Sequence, residues 1–197
     1  LDYAHRVRTK NGDAMGIVHC DVTPSNVFIA QNGQVRLGDF GVAHSKLIAS
    51  AMAERGWIAG KASYLAPEQI HDETVSPATD VFALGSILFE MIAGRKAFNG
   101  KTTQEVMNKI VDGNVSRLSA VRDSVSPEVE RIVHRALTIP RAVKVPTRMG
   151  RLRAALPGSR EPRYATAAHL AIDLETAYDQ KIGTAASLAS LLRSLFK

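Results

Sequence analysis

Apolar side chains recur at helical spacing along most of the chain, and this pattern predicts a mainly α-helical protein. The strongest segment covers residues 80–93, where apolar side chains leave little polar face and Gly94 follows as a C-cap. A helix that is apolar on nearly all sides is expected at the buried centre of a domain. Shorter helices are predicted at the start of the chain, from Thr102/Thr103 to about Val111, from Ser126 to about Leu137, from Thr166 to about Tyr178, and after Gly183.

Two short β-rich runs predict a β-hairpin. The runs are Val27-Phe28-Ile29 and Val35-Arg36-Leu37, and Asn32-Gly33 lies between them. Ile17-Val18 is a further strand candidate. Residues 42–64 show no strong periodicity, which is typical of a long functional loop. The fold class that follows is mainly α with a small β-hairpin.

The composition fits one domain with a real core. The chain has 197 residues, of which 45% are apolar, so wholesale disorder is excluded. The longest apolar stretch, residues 81–94, is too short for a bilayer span, and the single cysteine excludes an internal disulfide. The first residues are typical of the middle of a helix, and they contain no apolar signal-peptide core. We therefore expect a piece of a longer, cytoplasmic protein.

The excess positive charge is local. The formal net charge is +6, and residues 141–160 hold six basic residues and no acidic one, while the rest of the chain balances 19 against 19. We interpret this segment as a solvated loop inserted between two helices, with a docking site for an acidic partner as the alternative. It contains no aromatic residue, which argues against stacking on single-stranded nucleic acid.

Several short motifs carry polar residues in a specific order. They are His19-Cys20-Asp21, then Asn26, Asp39-Phe40-Gly41, Ala66-Pro67-Glu68, and Asp80 at the start of the apolar helix. This order resembles the C-terminal half of a eukaryotic-type (Hanks-type) serine/threonine protein kinase, whose pattern is H-R-D-x-x-x-x-N, then D-F-G, then A-P-E. The variant motifs look closest to bacterial members.

The resemblance implies a kinase C-terminal lobe over residues 1–183, followed by an amphipathic helix over residues 184–197. Within the lobe it implies a catalytic loop at 19–26, a metal motif at 39–41 and an activation segment at 39–68. The N-terminal lobe, with its glycine-rich loop and phosphate-binding lysine, is expected before this stretch. We therefore expect the 197 residues to be inactive on their own.

By resemblance, Asp21 orients the acceptor hydroxyl and accepts its proton, while Asn26 and Asp39 hold Mg²⁺ with ATP. A general base of this kind is worth on the order of 10²–10⁴ in rate. Mg²⁺ prefers oxygen ligands, which an amide and a carboxylate supply. The predicted hairpin places Asn26 and Asp39 at its two ends, so both are expected to converge on the pocket of Asp21.

Other matching positions look structural. By resemblance, His19 braces the catalytic loop, Gly41 completes the metal motif, and Asp80 hydrogen-bonds the backbone of the loop. Glu68 is expected to pair with an arginine near the end of the domain. Arg163 is the candidate, which makes residues 141–160 an insertion; a pair with Arg141 instead would contradict it.

Three positions depart from the kinase pattern. Cys20 replaces the arginine that commonly receives an activation-loop phosphate, which predicts weak or no dependence on such phosphorylation. Thr23 stands where a lysine is expected, and Lys61 stands where a threonine is expected. We hypothesise an exchange, in which Lys61 reaches the γ-phosphate site and Thr23 supplies the hydroxyl that contacts Asp21.

The function favoured is transfer of the ATP γ-phosphoryl group to serine or threonine hydroxyls of a protein substrate. The alternative is a pseudokinase, a scaffold that keeps the fold and lacks turnover; the retained Asp21, Asn26 and Asp39 argue against it. Small-molecule phosphotransferases share part of the catalytic loop, but the D-F-G and A-P-E motifs disfavour them.

Overall fold

The computed structural model describes residues 1–40, 59–139, 161–178 and 183–195. Within these residues the protein is mainly helical, with one two-stranded antiparallel sheet, so the fold class predicted from the pattern is confirmed. The elements follow in the order α1 (Asp2–Arg6), β1 (Val27–Ile29), β2 (Val35–Leu37), α2 (Ala59–Ala62), α3 (Pro67–Ile70), α4 (Pro77–Ala93), α5 (Thr103–Val111), α6 (Pro127–Ala136), α7 (Ala167–Ala177) and α8 (Ala185–Leu195).

Helix α4 is the buried centre that the apolar run predicted. It begins at Pro77 because proline suits the first helical position, and the N–H of Ser76 donates to Thr79 Oγ1 at 3.1 Å. It ends at Ala93 because Gly94 adopts a left-handed φ of 67° and donates its N–H to the Glu90 carbonyl oxygen. The helix therefore extends further toward the N-terminus than its apolar positions alone indicated.

Helices α6 and α7 pack against α4 and against each other. A Cβ atom on Gly85 would lie 2.8 Å from the Ala136 Cβ, so glycine allows the close approach of α4 and α6. Phe82 stacks on Phe98 with ring centroids 5.8 Å apart. These contacts fix the position of α4, whose first turn carries Asp80.

The predicted starts of three further helices are confirmed by their caps. The side-chain oxygens of Thr102, Ser126 and Thr166 each accept the N–H of the residue three positions later. This bond satisfies one of the amide donors that a helix N-terminus leaves unpaired.

The hairpin is formed as predicted, with Val27 opposite Leu37 and Ile29 opposite Val35. Gly33 has a φ of 79°, and a Cβ there would overlap the carbonyl oxygen of Ala185 at the start of α8. Helix α8 therefore begins directly against the hairpin turn.

Residues 17–18 form no strand among the described residues, so that prediction is wrong. Among the residues that the structure describes, the pair has no partner strand; the N–H groups of His19 and Cys20, which follow it, bind the Asp80 carboxylate.

Several predictions fall outside the described residues: Gly41, most of the activation segment, and the basic segment 141–160. In the ranges that are described, no helix is both long enough and apolar enough to cross a membrane.

Candidate active site

Asp80 binds the backbone of the predicted catalytic loop. Its carboxylate lies in the first turn of α4 and is 1% exposed. Oδ2 accepts the His19 N–H at 2.8 Å, and Oδ1 accepts the Cys20 N–H at 2.9 Å. Amide donors and the positive end of a helix both stabilise a buried carboxylate. The start of α4 therefore fixes where residues 19–26 lie.

His5 is a further partner of Asp80, which sequence reasoning missed. The two side chains are 2% and 1% exposed, and His5 Nε2 lies 2.8 Å from Asp80 Oδ2. Because an ionised carboxylate only accepts, the imidazole donates from Nε2. The two residues are 75 positions apart, so no local pattern marks the pair. The bond joins α1 to α4 next to the catalytic loop.

His19 connects the catalytic loop to the segment after β2. Its side chain is fully buried, its Nε2 lies 3.0 Å from the Gly38 carbonyl oxygen, and its ring lies 4.5 Å from the Phe40 ring. Nδ1 accepts the Asp21 N–H at 3.3 Å. One neutral tautomer, with the proton on Nε2, satisfies both bonds.

Asp21, Asn26 and Lys61 form one polar cluster. Asn26 Nδ2 donates to the Asp21 carbonyl oxygen at 2.8 Å and to Asp21 Oδ2 at 3.0 Å. Lys61 Nζ lies 3.1 Å from the same Oδ2. The Asp21 side chain is 29% exposed, whereas Asn26 is buried. Oδ2 is thus held by an amide and an ammonium, and Oδ1 has no hydrogen-bond partner among the residues described.

Asp39 follows β2 and lies at the same open end of the hairpin as Asn26. The Gly38 N–H donates to the Asn26 carbonyl oxygen at 2.9 Å, which places Asp39 one residue beyond that contact. Asp39 is exposed and has a φ of 53°, a left-handed backbone that is uncommon outside glycine. Strain of this kind concentrates at functional sites.

Arg163 pairs with Glu68. Its Nη1 lies 2.7 Å from Glu68 Oε1, with side chains 3% and 14% exposed, and also donates to the Ala78 carbonyl oxygen. Thr79 Oγ1 donates to the same Glu68 oxygen at 2.8 Å. Burial lowers the pKa of Arg163, and the carboxylate of Glu68 opposes that shift. The pair ties the segment that begins at residue 161 to α3 and α4.

Gln69 is a second residue that sequence reasoning missed. It is buried in α3, and its Nε2 donates to the Cys20 carbonyl oxygen at 2.8 Å. Its Oε1 accepts the Ala66 N–H at 3.0 Å. Gln69 therefore connects the A-P-E segment directly to the catalytic loop.

Comparison with known families identifies the domain. The family described as protein kinase domain matches residues 11–149, well over half of the chain. The chain belongs to the protein kinase domain family. The family assignment predicted from the motifs is therefore confirmed.

The kinase domain has named bacterial relatives. It is 36% identical over 118 residues to the serine/threonine-protein kinase PknL of Mycobacterium tuberculosis (strain CDC 1551 / Oshkosh), which covers 60% of this chain and 29% of that protein. It is 30% identical over 193 residues to the probable serine/threonine-protein kinase SCO3848 of Streptomyces coelicolor, and this match covers 97% of this chain and 25% of that protein. It is 31% identical over 149 residues to the tyrosine-protein kinase MasK of Myxococcus xanthus, and this match covers 75% of this chain and 23% of that protein. The chain thus spans less than a third of each of these relatives.

The Thr23 hydroxyl does not contact Asp21, as was expected for this kinase domain, but contacts Ser25. Its Oγ1 lies 2.9 Å from the Ser25 Oγ, and the residue is 3% exposed. The expected contact with Asp21 is not formed, so that half of the proposed exchange is wrong. Thr23 directly precedes the 3₁₀ turn Pro24–Asn26, and a threonine there readily bonds the nearest polar side chain of the turn.

Cys20 occupies the position of the kinase arginine with a φ of 63°. Burial, aided by the negative charge of Asp80, raises the pKa of its thiol to about 11. The thiol is therefore protonated at neutral pH, which makes it a poor nucleophile and metal ligand.

The donor atoms of the kinase domain suit Mg²⁺. The Asn26 amide nitrogen donates to Asp21, which leaves the Asn26 amide oxygen for a cation. The Asp39 carboxylate has neither a hydrogen bond nor an ion pair with any described residue. Both are hard oxygen donors of the kind that Mg²⁺ prefers. No group of three or more His, Cys, Asp or Glu side chains within the described ranges is placed to hold a metal, so a histidine- or cysteine-rich site is not seen there.

Proposed function

We propose that residues 1–183 are the C-terminal lobe of a kinase catalytic domain that transfers the γ-phosphoryl group of ATP to a hydroxyl of a protein substrate. The observation that carries the proposal is the Asp21 carboxylate, whose Oδ2 is held by Asn26 and Lys61. A carboxylate fixed in this way keeps its other oxygen for the acceptor hydroxyl. Phosphoryl transfer needs mainly such positioning together with stabilisation of charge.

In the proposed reaction Asp21 takes the proton of the acceptor hydroxyl. The hydroxyl oxygen forms a bond to the γ-phosphorus, and the bond from that phosphorus to the bridging oxygen breaks, which leaves ADP. Asn26 and Asp39 are the residues that would hold Mg²⁺, which supplies positive charge to the phosphate oxygens when bound. His19 and Asp80 keep the loop in the orientation that this reaction requires.

Lys61 takes the place of the missing catalytic-loop lysine in this proposal. Its ammonium reaches the Asp21 carboxylate from α2, which lies within the activation segment predicted at 39–68. A cation there can contact both the carboxylate and a γ-phosphate. Thr23 is not part of the arrangement, because its hydroxyl bonds Ser25.

We assign the acceptor as serine or threonine. The relatives PknL and SCO3848 carry serine/threonine-kinase names, whereas MasK carries a tyrosine-kinase name. Phosphoamino-acid analysis of the labelled product decides between them: phosphotyrosine as the main product would contradict the assignment.

The activity is tested on the complete protein that contains this chain, with radiolabelled ATP, Mg²⁺ and a mixture of protein substrates. We expect phosphate incorporation in the wild-type protein and its loss in Asp21→Asn. Asp13→Asn is the matched control, because Asp13 is exposed in a turn outside the cluster. A wild-type protein that binds ATP without turnover would instead identify a scaffold.

A further inference from the structure

A polar cavity of about 140 Å³ lies where the connection between α4 and α5 meets the end of α5. Its polar walls are formed by Arg95, Lys96, Asn99, Lys109, Asn114 and Ser116. Three of these residues are cationic, and no acidic residue lines the cavity. The cavity therefore has the electrostatic character of an anion site.

The cations of the cavity keep donor capacity for a ligand. Arg95 is exposed, and its one contact in the cavity is a long 3.5 Å bond to the Ser116 hydroxyl. Lys109 Nζ donates to the Asn99 carbonyl oxygen at 2.8 Å and pairs with Glu105 at 3.1 Å. That ion pair is solvent-accessible, and such pairs contribute little. The positive charge of the cavity is thus only partly compensated.

Glu90 does not neutralise the cavity. Its carboxylate accepts the Tyr64 hydroxyl at 2.5 Å and is not part of the cavity wall. The negative charge of Glu90 raises the pKa of Tyr64 further, after burial, so the phenol stays protonated as the donor.

Lys96 connects the cavity to the candidate active site. Its Nζ donates to the Gly60 carbonyl oxygen at 2.8 Å and lies 5.4 Å from the centre of the Tyr64 ring. Gly60 precedes Lys61, whose ammonium contacts Asp21. The same short helix, α2, therefore contacts Lys96 of the cavity wall and contains Lys61, the cation at the candidate active site. The cavity and Asp21 are thus linked through two successive residues of α2, Gly60 and Lys61.

We propose that this cavity binds an anionic side chain of the protein substrate, so that acidic sequence near the acceptor residue is preferred. This inference rests on the proposed kinase function. Glutamate, aspartate and phosphoserine share the required chemistry, a compact anion with several acceptor oxygens. Arg95 supplies a planar set of donors to such a group, and Lys96 supplies a point charge.

The test uses three fluorescein-labelled peptides of equal length around one serine acceptor. Their flanks carry aspartate and glutamate, serine and glutamine, or one phosphoserine. Binding to the complete protein is measured by fluorescence anisotropy at low and high salt, and kcat/KM is measured for each peptide. We expect both anionic peptides to bind more tightly than the neutral one, with the advantage shrinking at high salt. The ratio between the two anionic peptides identifies carboxylate or phosphate as the better occupant.

Arg95→Gln is the diagnostic variant. It should reduce the preference for the acidic peptide on the order of two- to fivefold, the factor that one exposed charge contributes. Lys101→Gln is the matched control, since it removes the same charge from the same connection at an exposed residue that does not line the cavity. The control should leave the preference unchanged.

Two results would overturn the inference. One is equal binding of the acidic and neutral peptides to the wild-type protein; the other is an equal loss of preference in Arg95→Gln and Lys101→Gln. Failure of the kinase proposal has a different signature, because no peptide would then be phosphorylated, whatever its affinity.

Discussion

The ammonium nitrogen of Lys61 lies 3.1 Å from the Asp21 carboxylate, across 40 positions of sequence. The two side chains come from different parts of the chain, the loop before the hairpin and the short helix α2. The contact gives the catalytic loop a cation that its own sequence lacks, since Thr23 occupies the position where a lysine is expected.

Replacing Lys61 should impair turnover more than folding. Lys61→Met removes a cation from a site where negative charge develops, and loss of one such group costs about 10²-fold in kcat. Lys61→Arg, which keeps the charge, should recover part of the rate. Steady-state kinetics on the complete protein measure the effect, and Lys10→Met, at an exposed turn, is the control. Unchanged kcat in Lys61→Met would remove Lys61 from the proposed mechanism.

Asp80→Asn should loosen the catalytic loop. An asparagine amide can accept one of the two backbone N–H groups but points a donor at the other, and an unsatisfied buried donor costs about 1–3 kcal/mol. Hydrogen exchange at the His19 and Cys20 amides should accelerate, and urea denaturation should show the loss of stability. Asp112→Asn, at an exposed helix end, is the control. Equal protection in wild type and Asp80→Asn would contradict this anchoring role.

Arg163→Met should destabilise the domain strongly. It leaves the Glu68 carboxylate without its buried partner, and breaking a buried pair from one side costs about 3–5 kcal/mol. The double variant with Glu68→Gln should recover part of that loss, because no lone charge then stays buried. Urea denaturation of the four proteins of this cycle measures the coupling. Additive losses would show that the two residues act independently.

Alkaline pH should destabilise the protein partly through Cys20. The thiol pKa is raised from 9.0 to about 11 in the folded protein, so the folded state holds its proton where the unfolded chain releases it. The contribution to stability is full below pH 9 and is lost as the pH rises toward 11. The fall in the free energy of unfolding over this interval should be smaller in Cys20→Ala, which has no thiol to titrate. Parallel pH profiles for the two proteins would contradict the shift.

Cys20 also provides a chemical test. Because the thiol is protonated, iodoacetamide should modify the folded protein slowly near pH 8 and rapidly after denaturation. Fast modification of the folded protein would indicate a thiolate at this position.

The sequence by itself determined helices α1 and α4 to α8, the hairpin and the residue types of the candidate site, but not the short helices α2 and α3. Capping hydroxyls such as Ser126, the Asn-Gly turn and the apolar run of α4 act over a few neighbouring positions, so their outcome can be read locally. The order of the D-F-G and A-P-E motifs identified the family because several short patterns had to agree. The Ile17-Val18 strand failed because a strand requires a partner that local sequence does not specify.

Only the tertiary structure decided which polar groups meet. His5 and Gln69 carry no local signal, yet His5 contacts Asp80, which binds the catalytic loop, and Gln69 donates directly to the Cys20 carbonyl oxygen of that loop. Thr23 forms a hydrogen bond with Ser25, two positions away, whereas Lys61 contacts Asp21 from 40 positions away. The physical reason is that a hydrogen bond or ion pair depends on atoms within a few ångströms, and packing of α2, α3 and α4 against the loop sets those distances.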